Sequence, residues 1–155
     1  MVDVWHCDAA GVYSGVRDRS FDTTGQKWLR GYLLTDANGL AEFTTIYPGW
    51  YSGRAVHIHF KIRTKGADGA DYEFTSQLFF DEATTDQVHA QPPYAAKGER
   101  DTPNASDGIY RNGGAQMLLT PTLAESGYAA HFPIALDLSN AATGQSDGAG
   151  GGRRP

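Results

Sequence analysis

The chain has 155 residues, 40% of them hydrophobic and 20% charged, which is enough for one domain with its own core. Its net charge of −5 gives no electrostatic footprint for nucleic acid. No apolar run approaches the roughly 18 residues of a membrane-spanning helix. The single cysteine, Cys7, reads most plainly as a small buried residue, although an odd thiol also suits a partner elsewhere.

Met1 is followed at once by Val2-Asp3-Val4-Trp5-His6, which reads as the middle of a strand pair with no room for a signal peptide. This leads us to expect a truncated reading of a longer protein. Trp28 to Thr35 and Leu40 to Ile46 flank Asp36-Ala37-Asn38-Gly39, a hairpin signal in which Asn-Gly supplies positive φ. Pro48 and Gly49 break regular structure between Tyr47 and Gly53, so this stretch reads as a loop carrying two tyrosines and a tryptophan.

Ala55 to Ile62 predicts a strand, with a turn over 65–71 and a second strand from Tyr72 to Phe80 that contains Gln77. Asp81 to Ala90 predicts a short helix. Residues 91–114 are rich in Pro, Gly, Asn and Asp and predict a long surface loop of the kind that often carries function. Gln116 to Pro121 and Tyr128 to Leu138 predict closing strands. From Ser139 the chain turns to Ala, Ser, Gly and Arg, and we expect a disordered tail over 139–155. The whole pattern predicts an all-β sandwich of mostly antiparallel strands with long loops, over residues 1–138, with its N-terminal strand missing.

The most informative segment is Arg54-Ala55-Val56-His57-Ile58-His59-Phe60. On a strand, His57 and His59 share one face, while Val56, Ile58, Phe60 and Ile62 line the other. Two imidazoles are half a metal site. Tyr13, Tyr47, Tyr51, Asp8, Cys7 and His6 are candidates for the remainder. Neither a CxxC nor an HExxH is present, so the usual zinc patterns are absent. Two phenolates with two imidazoles would suit ferric iron, because two hard anions favour the 3+ state; two His with one carboxylate would suit ferrous iron instead. His6, His89 and His131 read as structural or surface groups.

Four stretches, in order, resemble the intradiol ring-cleavage dioxygenases, the family of catechol and protocatechuate dioxygenases. They are Val4 to Ser14, Leu29-Arg30-Gly31 with Thr35-Asp36-x-x-Gly39, Thr45 to Phe60 with its Tyr-x5-His-x-His, and Ser76 to Phe80. The resemblance covers roughly residues 2–138. It implies Fe(III) held by Tyr13, Tyr51, His57 and His59, with Tyr51 as the tyrosinate that leaves when substrate binds. Tyr47 falls before the Pro-Gly pair, whereas the family ligand follows it. Arg54 matches the family arginine beside the reacting ring carbon, and Gln77 the supporting glutamine.

The implied reaction is cleavage of a catechol-type aromatic with O2 between its hydroxyl-bearing carbons, giving a cis,cis-muconate-type diacid. Trp50, Tyr47 and the 91–114 loop are candidates to line the pocket. Within the family the motifs are most similar to the extracellular aromatic dioxygenases, where the Trp-His-Cys cysteine can pair with one upstream. This favours a secreted protein over a cytoplasmic one. The oligomeric state stays open, a homodimer among the options. Competing readings are a non-catalytic sandwich binding module, an inactive fragment of the dioxygenase, and a zinc-binding sandwich.

Overall fold

A computed structural model describes residues 1–66 and 68–139. Most of the expected disordered tail therefore lies outside the described residues. The architecture is mainly strands with few helices. Its centre is a five-stranded sheet in the order β2-β1-β3-β4-β5, formed by β1 (Val2–Trp5), β2 (Arg30–Leu33), β3 (His57–Lys65), β4 (Asp71–Phe80) and β5 (Leu118–Leu119). All neighbours are antiparallel except β4 and β5, which run parallel. A separate ribbon pairs β6 (Thr122–Ala124) with β7 (Gly127–Ala129). Helix α1 (Glu82–His89) follows β4 and is capped by Asp81, whose side chain accepts from the Thr84 amide. Among the described residues, no helix is long and apolar enough to cross a membrane.

The alternation expected along the histidine strand is present. Phe60 is buried on one face, beside Phe74, and Val56 joins Phe80 and Leu119 in a core onto which Ile58, Leu78, Tyr47 and Phe132 pack. The opposite face carries His57, His59 and Lys61. Register places Trp5 and Gln77 on either side of His59, so residues from three strands share the histidine face.

Several boundaries differ from expectation. The histidine strand starts at His57 and runs on to Lys65, two residues later at its start than the sequence pattern suggested. The turn at Asp36 forms, with the Asp36 side chain accepting from the Asn38 and Leu40 amides, but the hairpin does not. Only Arg30–Leu33 is strand, and it pairs with β1. The Leu40–Ile46 segment is held elsewhere: Thr45 Oγ1 meets His6 Nε2 at 2.8 Å, just beyond the end of β1. The predicted final strand is confined to Gly127–Ala129. The 91–114 loop holds single turns at Tyr94–Lys97 and Asn104–Ser106 and the short helix α2 (Gly108–Arg111).

Candidate metal centre

Four polar side chains from three segments meet at one buried point. His57 Nε2 lies 3.0 Å from His59 Nε2, 3.3 Å from Tyr51 Oη and 3.4 Å from Tyr13 Oη. The two tyrosine rings stand edge-on, with centroids 5.6 Å apart. His57 is almost wholly buried. Its Nδ1–H donates to the Ala55 carbonyl at 2.6 Å, which fixes the tautomer and leaves the Nε2 lone pair facing the cluster. Trp5 stacks on His59 at 4.9 Å with only 4° between planes, so that ring is oriented by an apolar wall.

The loops that deliver the tyrosines touch through backbone. Gly11 and Gly49 both donate their amides to the Asp8 carbonyl. A Cβ on Gly49 would lie 2.4 Å from Asp8 O, and one on Gly11 would lie 2.0 Å from Trp50 O. Gly11 also sits at φ +80°, a left-handed conformation that side chains disfavour. The Tyr13 side is anchored again behind the cluster. Arg30 donates to the Ser14 hydroxyl and carbonyl, and Ser14 Oγ donates to Trp28 O.

Burial sets the protonation states. It pushes the Tyr13 phenol far above its ordinary range, and the neighbouring Tyr51 raises it further. Burial also raises Tyr51, with Arg54 opposing. Burial lowers His57 to about 4, with Arg54 adding to the effect. His59 is lowered to about 2 by burial, then by His57 and Arg54. Without a cation, the cluster is therefore two neutral phenols and two neutral imidazoles.

That donor set fits a hard trivalent cation. Two neutral nitrogens present lone pairs, and two phenols yield anionic oxygens when a cation displaces their protons. Atoms sharing a cation at about 2.0–2.1 Å, at near right angles, lie about 3 Å apart, which is the scale of the observed separations. Among the described residues, no cluster of three or more His, Cys, Asp or Glu forms an alternative site.

The other candidates are engaged elsewhere. The Tyr47 hydroxyl meets Thr85 Oγ1 at 2.8 Å and its ring packs on Phe80. Cys7 is buried, its thiol donates to Gly49 O at 3.3 Å, and burial pushes it up to about 12. His6 bonds Thr45 and the Cys7 carbonyl. Asp8 Oδ1 accepts from the Ala10 and Val12 amides within its own loop. His89 donates to Pro48 O and stacks on Tyr94. His131 is exposed.

Arg54 and Gln77 come together beside the cluster. Arg54 donates through Nη2 to Gln77 Oε1 at 2.5 Å and through Nε to Asp107 Oδ2 at 2.8 Å. Asp107 is missing from the sequence-based candidates, yet it is fully buried. It also accepts from the amides of Ala55, Ile109 and Tyr110. Burial works against its charge, but these amides and Arg54 hold its carboxyl below the ordinary carboxylate range. Its one sequence signal is its place before Gly108-Ile109-Tyr110, where an Asp caps a helix start.

Comparison with known proteins gives concordant results. A family model described as Dioxygenase matches residues 1–97. Chlorocatechol 1,2-dioxygenase of Pseudomonas putida is 28% identical over 99 residues, covering 52% of this chain and 35% of that protein. An intradiol ring-cleavage dioxygenase structure from Tetranychus urticae superposes with a TM-score of 0.68 at 30% identity, covering 78% of this chain and 62% of that one. The dioxygenase domain of a dioxygenase–carbohydrate-binding protein fusion from Streptomyces sp. SirexAA-E gives a TM-score of 0.55 at 25% identity, over 88% of this chain and 66% of that one. The chain thus spans about a third of the curated relative and under two thirds of the Tetranychus urticae structure.

Proposed function

Because the chain belongs to the intradiol ring-cleavage dioxygenase family, we propose that it holds non-haem Fe(III) through Tyr13, Tyr51, His57 and His59 and uses O2 to split catechol-type diols into muconate-type diacids. The observation that carries this reading is the convergence of two phenol oxygens and a second imidazole nitrogen within 3.4 Å of His57 Nε2. On this reading the five-stranded sheet is one layer of a β-sandwich.

The ferric ion supplies Lewis acidity that draws electron density from a bound diol. The remaining work falls to side chains. Tyr51, on the loop before β3, is the phenolate that takes a proton from a substrate hydroxyl at its Oη. Burial favours the neutral phenol there, so a freed Tyr51 phenolate is a ready proton acceptor. Tyr13 stays in place, held by the Ser14–Arg30 contacts. Arg54 carries a fixed positive charge next to the cluster and stabilises negative charge developing on the ring. Gln77 and Asp107 hold Arg54 in position, and Trp5 excludes water from one side of His59.

Iron content and a visible spectrum, before and after anaerobic catechol, test this. Ferric-loaded protein should show a tyrosinate-to-iron band that moves to longer wavelength with catechol. In Tyr51→Phe the band should weaken and catechol binding should slow. A protein that takes up no iron and stays colourless after ferric loading would overturn the assignment.

A further inference from the structure

The histidine face of the sheet does not end at the cluster. Beyond Trp5 it opens into a groove of about 400 Å³ on β1, β2 and β3, walled by Asp3, Trp5, Lys27, Arg30, Lys61 and Arg63. Trp5 is shared: its ring stacks on His59 and also lines the groove. Register sets the order along the face, with Trp5 opposite both His59 and Arg30, and Asp3 opposite Lys61. At about 3.3 Å per strand residue, Lys61 lies roughly 7 Å and Arg63 roughly 13 Å beyond His59.

The groove is basic in a chain whose net charge is −5. Lys61 pairs with Glu73 at 3.1 Å, and Arg63 with Asp3 at 2.8 Å. Those two carboxylates face four cations. Arg30 places Nε and Nη2 on the hydroxyl and carbonyl of Ser14, which are neutral acceptors. Among the described contacts, neither Arg30 nor Lys27 meets a carboxylate. Two cations beside an indole face suit an aromatic acid: the ring lies against Trp5 and the anion reaches guanidinium and ammonium.

We infer that the groove walled by Trp5, Lys27, Arg30 and Lys61 is a subsite for the acidic end of the substrate. The chain accordingly prefers catechols bearing a carboxylate on a short side chain over catechol itself. The groove lies past Trp5, which stacks on His59, so a carboxylate carried on a short side chain extends further along this face than one joined directly to the ring. This substrate class rests on reading the cluster as the catechol site, but the groove itself is testable without iron.

The probe is 3-phenylpropionate, which has the acid and no diol, titrated calorimetrically into the metal-free chain. Its neutral amide is the control. The acid should bind about tenfold or more tightly than the amide, and salt should erode that preference. In Lys27→Glu and in Arg30→Gln the acid-over-amide ratio should fall below about threefold. Lys27 is exposed, so its variant should keep the wild-type melting temperature. Equal binding of acid and amide, or an unchanged ratio in Lys27→Glu, would overturn the subsite. With iron-loaded protein, kcat/KM for 3-(3,4-dihydroxyphenyl)propionate should exceed that for its amide by a similar factor. Cleavage of both at equal rates would sink the groove and leave the iron reading standing. Acid binding without cleavage of any catechol would do the reverse.

Discussion

Two buried polar networks lie side by side, and they are solved differently. Around Asp107 each charge has its complement: one carboxylate meets a guanidinium and three backbone amides, and the guanidinium also meets Gln77. Around His57, neutral donors crowd one nitrogen, and the two imidazoles meet through Nε2 atoms 3.0 Å apart. The first network is complete as protein alone. The second brings two phenol oxygens and two imidazole nitrogens together with no charge to organise them, and on the proposed reading a cation would complete it. Structural and functional polar clusters are thus told apart by whether their hydrogen-bond arithmetic closes.

Breaking the open network should cost the metal. His57→Ala should retain less than about a tenth of the wild-type iron, because a three-donor remnant loses the one imidazole whose tautomer is fixed; full occupancy by elemental analysis would exclude His57 as a ligand. Breaking the closed network should cost the fold. Asp107→Ala leaves Arg54 without its ion pair and strips three amides, and should destabilise by about 3–5 kcal/mol. Urea denaturation reads this directly, and a loss below about 1 kcal/mol would mean that solvent replaces the carboxylate.

The groups between the networks sharpen the contrast. Arg54→Ala should keep its iron but lose about 10²–10³ in kcat, the scale of removing one stabilising charge from a developing anion. Wild-type turnover in that variant would remove Arg54 from the chemistry. Tyr47→Phe, on the same loop as Tyr51, should cost only about 1 kcal/mol through its Thr85 bond and leave the visible spectrum unchanged. A shifted band would place Tyr47 nearer the metal than its packing against Phe80 allows.

The parts of the site that were legible in the sequence are those set by short-range periodicity. His-x-His on an apolar-alternating run specifies two imidazoles on one face, because side-chain direction follows the pleat. Periodicity does not choose between Tyr51 and Tyr47; the family resemblance implies Tyr51, which follows Pro48-Gly49, and the two hydroxyls do part company, one toward His57 and one toward Thr85. Asp107 was hidden because it lies 53 residues from Arg54, in a stretch whose Pro, Gly and Asn content reads as surface. The failed hairpin has a similar cause. Asn38-Gly39 does specify the turn, but a turn does not choose strand partners, and a distant bond from His6 to Thr45 draws the second arm away. The groove was equally invisible, since Lys27 and Arg30 come from one segment and Lys61 and Arg63 from another, and only the fold brings the two together.

The backbone contact between the Tyr13 and Tyr51 loops has a dynamic consequence. With Gly49 seated on the Asp8 and Ala9 carbonyls and Gly11 against Trp50 O, neither loop has slack to recoil. If Tyr51 gives up its place to a substrate, it does so by turning about its own side-chain bonds on a stationary main chain. Exchange at the cluster then resembles a hinged latch rather than an opening lid, with its rate governed by one rotamer change and not by the slower collective motion of a loop.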